Sequence, residues 1–420
     1  MYYERTIESS IREISKSFPV LVLTGPRQAG KTTLLQRMAE PDRKYVGLDN
    51  PTDRAFAKRD PELFLQRYAP PVLIDEVQYA PELFDYIKVY ADRHKRCGDF
   101  WLTGSQTFHL MKNVTESLAG RAGIIRILGL SNSELNGTHF APFEVNPPML
   151  IERVEQAKRL TLPEVFDRIF QGSFPRLHEE PGVNRSKYYE AYLETYISRD
   201  VKDLTQVADE LAFLQFMGIA AARTATNVNY DTLANEAGIS APTAKQWLSI
   251  LVTSGLVALI PPYTNNALKR VIRAPRMYFM DTGLCAHLAR IPSAEMLEAS
   301  AMDGAFFETW VFSEIYKSYI NHGNRPPLFF YRDQNKKEID LILWEGGTVY
   351  PIEIKKSAWP KDATRHFSVL NPITKEPSEE DIFSGAAHLK TEIGTGAVVC
   401  LCSDVLPIDR KNWYVPAWII

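Results

Sequence analysis

Residues 18–24, FPVLVLT, form an apolar run without alternation, followed by the polar loop GPRQAG and then by KTTLLQRMAE, whose apolar positions recur at helical spacing. An unbroken apolar run suits a strand buried on both faces, and such strands belong to parallel sheets. The pattern repeats. KYVG leads into one helical stretch, DNPTDRAFAKRDPELFLQRY; PPVLID, DFWLTG and GIIRILGL are further strand-like runs with helical segments between them. Strands alternating with helices predict an α/β domain around a parallel sheet, placed here at residues 1–150.

A Pro- and Asn-bearing stretch, HFAPFEVNPPM, marks the boundary, and the pattern then turns helical. Within residues 151–285, NYDTLANEAGISAPTAKQWLSILVTSGLVALI reads as two helices joined by a turn at Gly238-Ile239-Ser240. Ser240 caps the second helix. The spacing of Leu233, Ala237, Ile239, Ala244, Trp247, Leu248 and Leu251 packs the two helices against each other, a helix-turn-helix pattern. ALIPPYTNNALKRVIRAPRMYFM follows as two strand-like runs, giving the outline of a winged helix. Its cations Lys269, Arg270, Arg273 and Arg276 are accompanied by no acid between Pro261 and Met280. Such a stripe suits phosphate contacts with DNA, or else an exposed basic hairpin on an inter-domain strut.

In residues 286–420, GAFFETWVFSEIYK has the pattern of an amphipathic helix, and KKEIDLILWEGGTVYPIEIKKS that of two antiparallel strands turned at Glu345-Gly346-Gly347. Alternation puts Glu353 and Lys355 on one face, and the pairing brings Asp340 near both. GAVVCLCSD completes the sheet, and the charged stretch within residues 357–385 reads as an excursion from it.

The chemistry concentrates in two places. Gly25, Pro26, Arg27, Gln28, Ala29, Gly30, Lys31 and Thr32 fit GxxxxGK[ST], with Thr33 following. In that pattern glycines let backbone N–H groups turn toward phosphate oxygens, lysine reaches the β- and γ-phosphates, and Thr32 offers its hydroxyl to Mg²⁺. Asp75 and Glu76 close the apolar strand VLID, where an acid is costly unless a cation or hydrogen bonds satisfy it. Asp75 is the expected magnesium-shell residue and Glu76 the residue that polarises an attacking water. Ser105 and Gln106, at the end of DFWLTG, are candidate sensors of the γ-phosphate. Arg121 reads either as an arginine finger reaching a neighbouring subunit's nucleotide or as a surface ion-pair residue. The second place is Glu308, Asp340, Glu353 and Lys355. There carboxylates can hold Mg²⁺ while the lysine steadies charge on a scissile phosphate; the plain alternative is an E-x-K on an ordinary amphipathic strand.

Composition narrows the picture. The 48 Lys and Arg residues nearly balance 51 Asp and Glu in 420 residues, so no global field draws the chain to nucleic acid. Four scattered cysteines do not form a disulfide framework, and neither a signal-like N-terminus nor a spanning apolar run is found. The expectation is a soluble, cytoplasmic protein without a membrane partner, free to form homo-oligomers.

TGPRQAGKTTL, LIDEVQ, LTGSQTFHLM and ESLAGRAG together resemble the bacterial and archaeal AAA+ superfamily ATPases that carry the C-terminal domain of unknown function numbered 4143. QGSFPRL, YLETYISRDV and EIDLILWEGGTVYPIEIKKS resemble that family's second half. The resemblance implies ATP and Mg²⁺ as cofactors and hydrolysis of the nucleotide, but identifies no second sensor arginine. The acid, Asp340 and E-x-K arrangement further resembles restriction-endonuclease-like, PD-(D/E)xK folds. Three functions follow: an ATPase coupling nucleotide state to the winged-helix and nuclease-like modules, an ATP-gated DNA nuclease, and a nucleotide-switched binding protein with little hydrolysis.

Overall fold

A computed structural model describes residues 2–105, 107–179, 183–197, 210–264, 274–333, 335, 337–374 and 391–420. The apolar runs of the N-terminal third are parallel strands: β1 Val20–Thr24, β2 Lys44–Gly47, β3 Val72–Asp75, β4 Phe100–Gly104 and β5 Ala122–Arg126, in the spatial order β2-β3-β4-β1-β5. β1, β3 and β4 are buried along their whole length, which is why none of them alternates in sequence. Val20, Val22, Ile74 and Leu102 pack on one face of the sheet, and Leu21, Leu23, Leu73 and Trp101 on the other. Because β4 lies between β1 and β3, its carboxyl end sits between the phosphate loop and the acidic strand end. The stretch after β2, expected as one helix, is two. Helices Pro51–Arg59 and Pro61–Arg67 part at Asp60, whose side chain accepts from the Leu63 amide and caps the second.

The middle of the chain is helical. The turn between helices Tyr230–Ala237 and Ala241–Thr253 lies where the sequence places it, with Gly238 left-handed and the Ser240 hydroxyl accepting from the Thr243 amide. Beside this pair, β6 Thr226–Asn227, β7 Val257–Ile260 and β8 Arg276–Phe279 form an antiparallel sheet in the order β6-β8-β7. Lys269, Arg270, Arg273 and Gln106 lie outside the described residues.

The C-terminal sheet comprises β9 Leu328–Arg332, β10 Glu338–Glu345, β11 Thr348–Ile354, β12 Glu392–Ile393, β13 Gly396–Cys400, β14 Leu406–Pro407 and β15 Asn412–Pro416. It is mixed: β9, β10 and β11 run antiparallel, whereas β11, β13 and β15 run parallel. The helix Asp303–Ile320, amphipathic by its sequence pattern, is instead an interior helix, burying Phe306, Trp310, Ile315 and also Ser313, Glu314 and Lys317. A single apolar cluster runs from Leu128 to Ile420 and joins the middle of the chain to this sheet. Among the described residues, no helix is long and apolar enough to cross a membrane.

Candidate functional site

Between β1 and the helix Lys31–Met38 the backbone is shaped for close approach. Gly25 has a φ of 149°, and a Cβ there would lie 2.1 Å from the Ile127 carbonyl oxygen, so a side chain is excluded. Gly30, at φ 90°, is the N-cap of the helix, in a conformation that glycine adopts without strain. Gln28 is also left-handed, at φ 59°. Such a succession turns amides inward at the positive end of a helix, the arrangement that receives phosphate. Lys31 Nζ crosses back over the loop and donates to the carbonyls of Gly25 at 2.9 Å and Pro26 at 2.8 Å.

The acids close in from β3. Thr32 Oγ1 donates to Asp75, 3.0 Å from each carboxylate oxygen. Asp75 also accepts from Thr103 Oγ1 on β4 and from the Tyr45 hydroxyl at 3.3 Å. Burial, then the charge of Asp75, push the Tyr45 phenol up to about 12, which keeps it a donor. Glu76 is left-handed, at φ 55°, and its Oε2 accepts from the Ser105 amide at 3.0 Å, from Ser105 Oγ at 2.9 Å and from Gln78 Nε2. Burial alone raises the Glu76 carboxyl. The Lys31 charge and these hydrogen bonds outweigh that and hold it below the usual carboxylate range.

The loop and Glu76 open onto a cavity of about 520 Å³, lined by Lys31, Thr32, Thr33, Glu76 and Ser105 and, from other segments, by Arg5 and Arg176. Arg5 precedes the first strand, and Arg176 opens the short helix Arg176–Glu179 of the middle segment. Sequence reasoning missed both: nothing local marks Arg5, and Arg176, although inside the family-like stretch QGSFPRL, was given no role at the nucleotide. It also missed Thr103, although a Thr103 and Ser105 alternation on an otherwise apolar strand is a usable signal. Arg121 lies elsewhere. It precedes β5, at the end of the sheet opposite the loop, and its guanidinium is forked onto Asp92 at 2.6 and 3.0 Å.

The C-terminal residues come together only in part. Lys355 Nζ is 2.6 Å from Glu353 Oε1 and 3.4 Å from Asp340 Oδ2, and the Ile354 amide donates to Asp340 at 2.8 Å. Both acids are buried, and among the described residues Glu353 Oε2 has no hydrogen-bond partner. Glu308 does not join them as a free ligand. It accepts from the Tyr278 hydroxyl at 2.6 Å and pairs with Arg276 at 3.3 Å. Arg276, expected on a phosphate-contacting surface, is buried and pairs also with Glu338. The cause is β8, which is buried along its whole length, so that a cation on it must find carboxylates inside the protein. Burial and the charge of Asp340 push the carboxyls of Glu308 and Glu353 up. Among the described residues, no three His, Cys, Asp or Glu side chains are grouped to hold a metal ion.

Residues 17–136 match the family described as AAA domain. The N-terminal third is an AAA domain. The phosphate loop, Asp75, Glu76 and Ser105 all fall inside this AAA match, whereas Arg5 and Arg176 fall outside it. Residues 162–295 match the domain of unknown function DUF8612, and residues 303–420 the domain of unknown function DUF4143. Uncharacterized protein Rv2008c of Mycobacterium tuberculosis and Mb2031c of Mycobacterium bovis are each 27% identical over 358 residues, covering 85% of this chain and 74% of theirs. Among solved structures, the Walker-type ATPase PABY2304 of Pyrococcus abyssi aligns with a TM-score of 0.44 at 13% identity, over 69% of this chain and 96% of that one. The ORC2 protein of Aeropyrum pernix, in its ADP form, aligns with a TM-score of 0.31 at 13% identity, over 74% and 95%.

Proposed function

We propose that this protein binds ATP with Mg²⁺ in the cavity above the phosphate loop and hydrolyses it, and that the middle and C-terminal parts respond to the nucleotide. One observation carries this reading: Gln28, Gly30, Lys31 and Thr32 of the loop line a single cavity together with Glu76 and Ser105, and Thr32 is hydrogen-bonded to Asp75. One hydroxyl beside one carboxylate suits Mg²⁺, which keeps several waters and takes few protein ligands. When bound, the ion offsets charge on the β- and γ-phosphate oxygens. The loop amides and Lys31 hold the phosphates, and Arg176 brings a cation from the facing segment. Glu76, pinned through Oε2 and kept ionised, accepts a hydrogen bond from the attacking water. In the full chain, Glu76→Gln is expected to retain Mg-ATP while phosphate release falls about 100-fold. Lys31→Ala should abolish the thermal stabilisation that nucleotide gives the parent. Turnover by Glu76→Gln at the parental rate would remove that residue from the water-polarising role, and a parent that takes up no ATP would end the whole reading.

A second reading is favoured by one specific feature, the buried Glu353 Oε2, which has no hydrogen-bond partner among the described residues and lies beside Asp340 and Lys355. In a restriction-endonuclease-like site, Asp340 and Glu353 would hold Mg²⁺ and Lys355 would face the scissile phosphate of DNA. Incubation of plasmid and linear DNA with Mg²⁺ or Mn²⁺, with and without ATP, is the test. Cleavage lost in Asp340→Ala supports this reading; cleavage that persists in the variant, or none in the parent, removes it.

A further inference from the structure

Arg5 belongs to no motif and lies outside the stretch matching the AAA domain, yet each nitrogen of its guanidinium is engaged. Nη1 donates to the Ala29 carbonyl inside the phosphate loop at 3.1 Å. Nη2 donates to the carbonyls of Leu128 at 2.8 Å and Gly129 at 3.4 Å, just past β5. Nε meets Glu134 Oε1 at 3.2 Å, and the two side chains are 4% and 0% exposed. Glu134 also accepts from the amides of Thr6 and Ser131, each at 2.9 Å, and from Asn321 Nδ2 at 3.4 Å.

The contact with Ala29 has a directional effect. In a trans peptide the C=O of one residue and the N–H of the next point opposite ways across one rigid plane. With the Ala29 oxygen held by Arg5, the Gly30 amide is turned away from Arg5 across the same peptide plane. Gly30 makes that plane easy to rotate, since its backbone is restrained by no side chain. A planar fork can serve Ala29, Leu128 and Glu134 at once, whereas a lysine ammonium is a point donor and cannot span them.

We infer that Arg5 is a positioning residue for the nucleotide: by fixing the Ala29 carbonyl it aims the Gly30 amide at the triphosphate oxygens. The inference rests on the ATP reading of this site. Because an aimed amide binds phosphate alike in the ground and transition states, loss of the aim raises KM and leaves kcat nearly unchanged. A role confined to holding the N-terminal segment would lower stability without that split.

The experiment uses the full chain as parent, Arg5→Lys, and Arg12→Ala as a surface control, since Arg12 is 61% exposed and pairs with Glu8. Mg-ATP affinity is read by calorimetry, hydrolysis across ATP concentrations, and stability by urea unfolding without nucleotide. Arg5→Lys is expected to weaken affinity and raise KM about tenfold, with kcat within about twofold and the unfolding midpoint near the parent's. Parental affinity in Arg5→Lys, or a collapsed midpoint with unchanged KM in the folded fraction, overturns the inference. Should Arg5→Lys not fold, Glu134→Gln retains a carbonyl acceptor but loses the charge that orients Arg5, and a KM rise of about threefold is expected. A parental KM there, or failure of both variants to fold, assigns Arg5 a purely structural role. Absence of nucleotide uptake by the parent is a separate result that removes the ATP reading before any variant is compared.

Discussion

At the carboxyl end of β3, Glu76 faces a cavity of about 520 Å³ and the buried Asp75 holds the lining residue Thr32, while across the β10 and β11 pairing Asp340 and Glu353 are buried beside Lys355. Both places carry two acids near a lysine. The first surrounds its acids with neutral donors, from Thr32, Thr103, Tyr45, Gln78 and Ser105, and its lysine donates to two backbone carbonyls. The second sets carboxyl against carboxyl and answers them with the protein's own cations, Lys355 and, at Glu308, Arg276. Their carboxyls move in opposite directions: the Lys31 charge and these hydrogen bonds outweigh burial and hold Glu76 below the usual range, whereas burial and the charge of Asp340 push Glu353 above it. A cation held by carbonyls can be drawn to an incoming anion at little cost. One already paired with carboxylates is neutralised, and drawing it away exposes buried charge.

The largest effect expected from this contrast is on stability. Removing one partner of a buried ion pair leaves the other uncompensated, so Arg276→Ala is expected to cost about 3 kcal/mol or more, because Glu308 then faces Asp340 without its cation. Lys31→Ala, measured the same way and without nucleotide, should cost about 1 kcal/mol or less, since functional residues are commonly not placed for stability. Urea unfolding at neutral pH compares the two. Equal losses would mean that the phosphate loop depends on its lysine for folding, and the contrast would fail.

What the sequence disclosed and what it hid divide along the range of the interactions. The phosphate loop is contiguous, and the strands β1, β3 and β4 announce themselves by unbroken apolar runs, so the AAA domain and the Asp75 and Glu76 pair could be read locally. The pairing of β10 with β11 was legible too, because alternation and a Gly-Gly turn fix its register. Arg276 was misread because a stretch free of acids looks solvent-facing, while Glu308 and Glu338, which bury it, come far downstream. The helix Asp303–Ile320 was misread for a related reason. Its polar residues looked like a wet face, but Lys317 meets Glu314 at 2.6 Å and the Leu130 carbonyl at 2.9 Å, and the Asn132 amide meets Glu314 at 2.8 Å, all of them buried. Arg5 had no signal, since its partners are set by tertiary packing alone, and the stretch QGSFPRL did not disclose that its Arg176 reaches the cavity.

The smallest effect is a pH dependence that sharpens the same contrast. Burial, then the charge of Asp340, push the Glu353 carboxyl up to about 7, against the opposing pull of Lys355. In the unfolded chain that carboxyl titrates in the ordinary range, so between the two values the folded protein keeps a proton that the unfolded chain has lost. Stability from this group is therefore present at low pH and is lost as pH rises from the ordinary carboxylate range to neutrality. Glu353→Gln keeps the shape and removes the titration. Relative to the parent it should gain about 1–2 kcal/mol in unfolding free energy between about pH 5 and about pH 8. Glu308 titrates in both proteins, so its share largely drops out of the difference. A difference that stays constant over this window would show a carboxylate already satisfied as an anion, which would make the C-terminal cluster electrostatically similar to the site at Glu76.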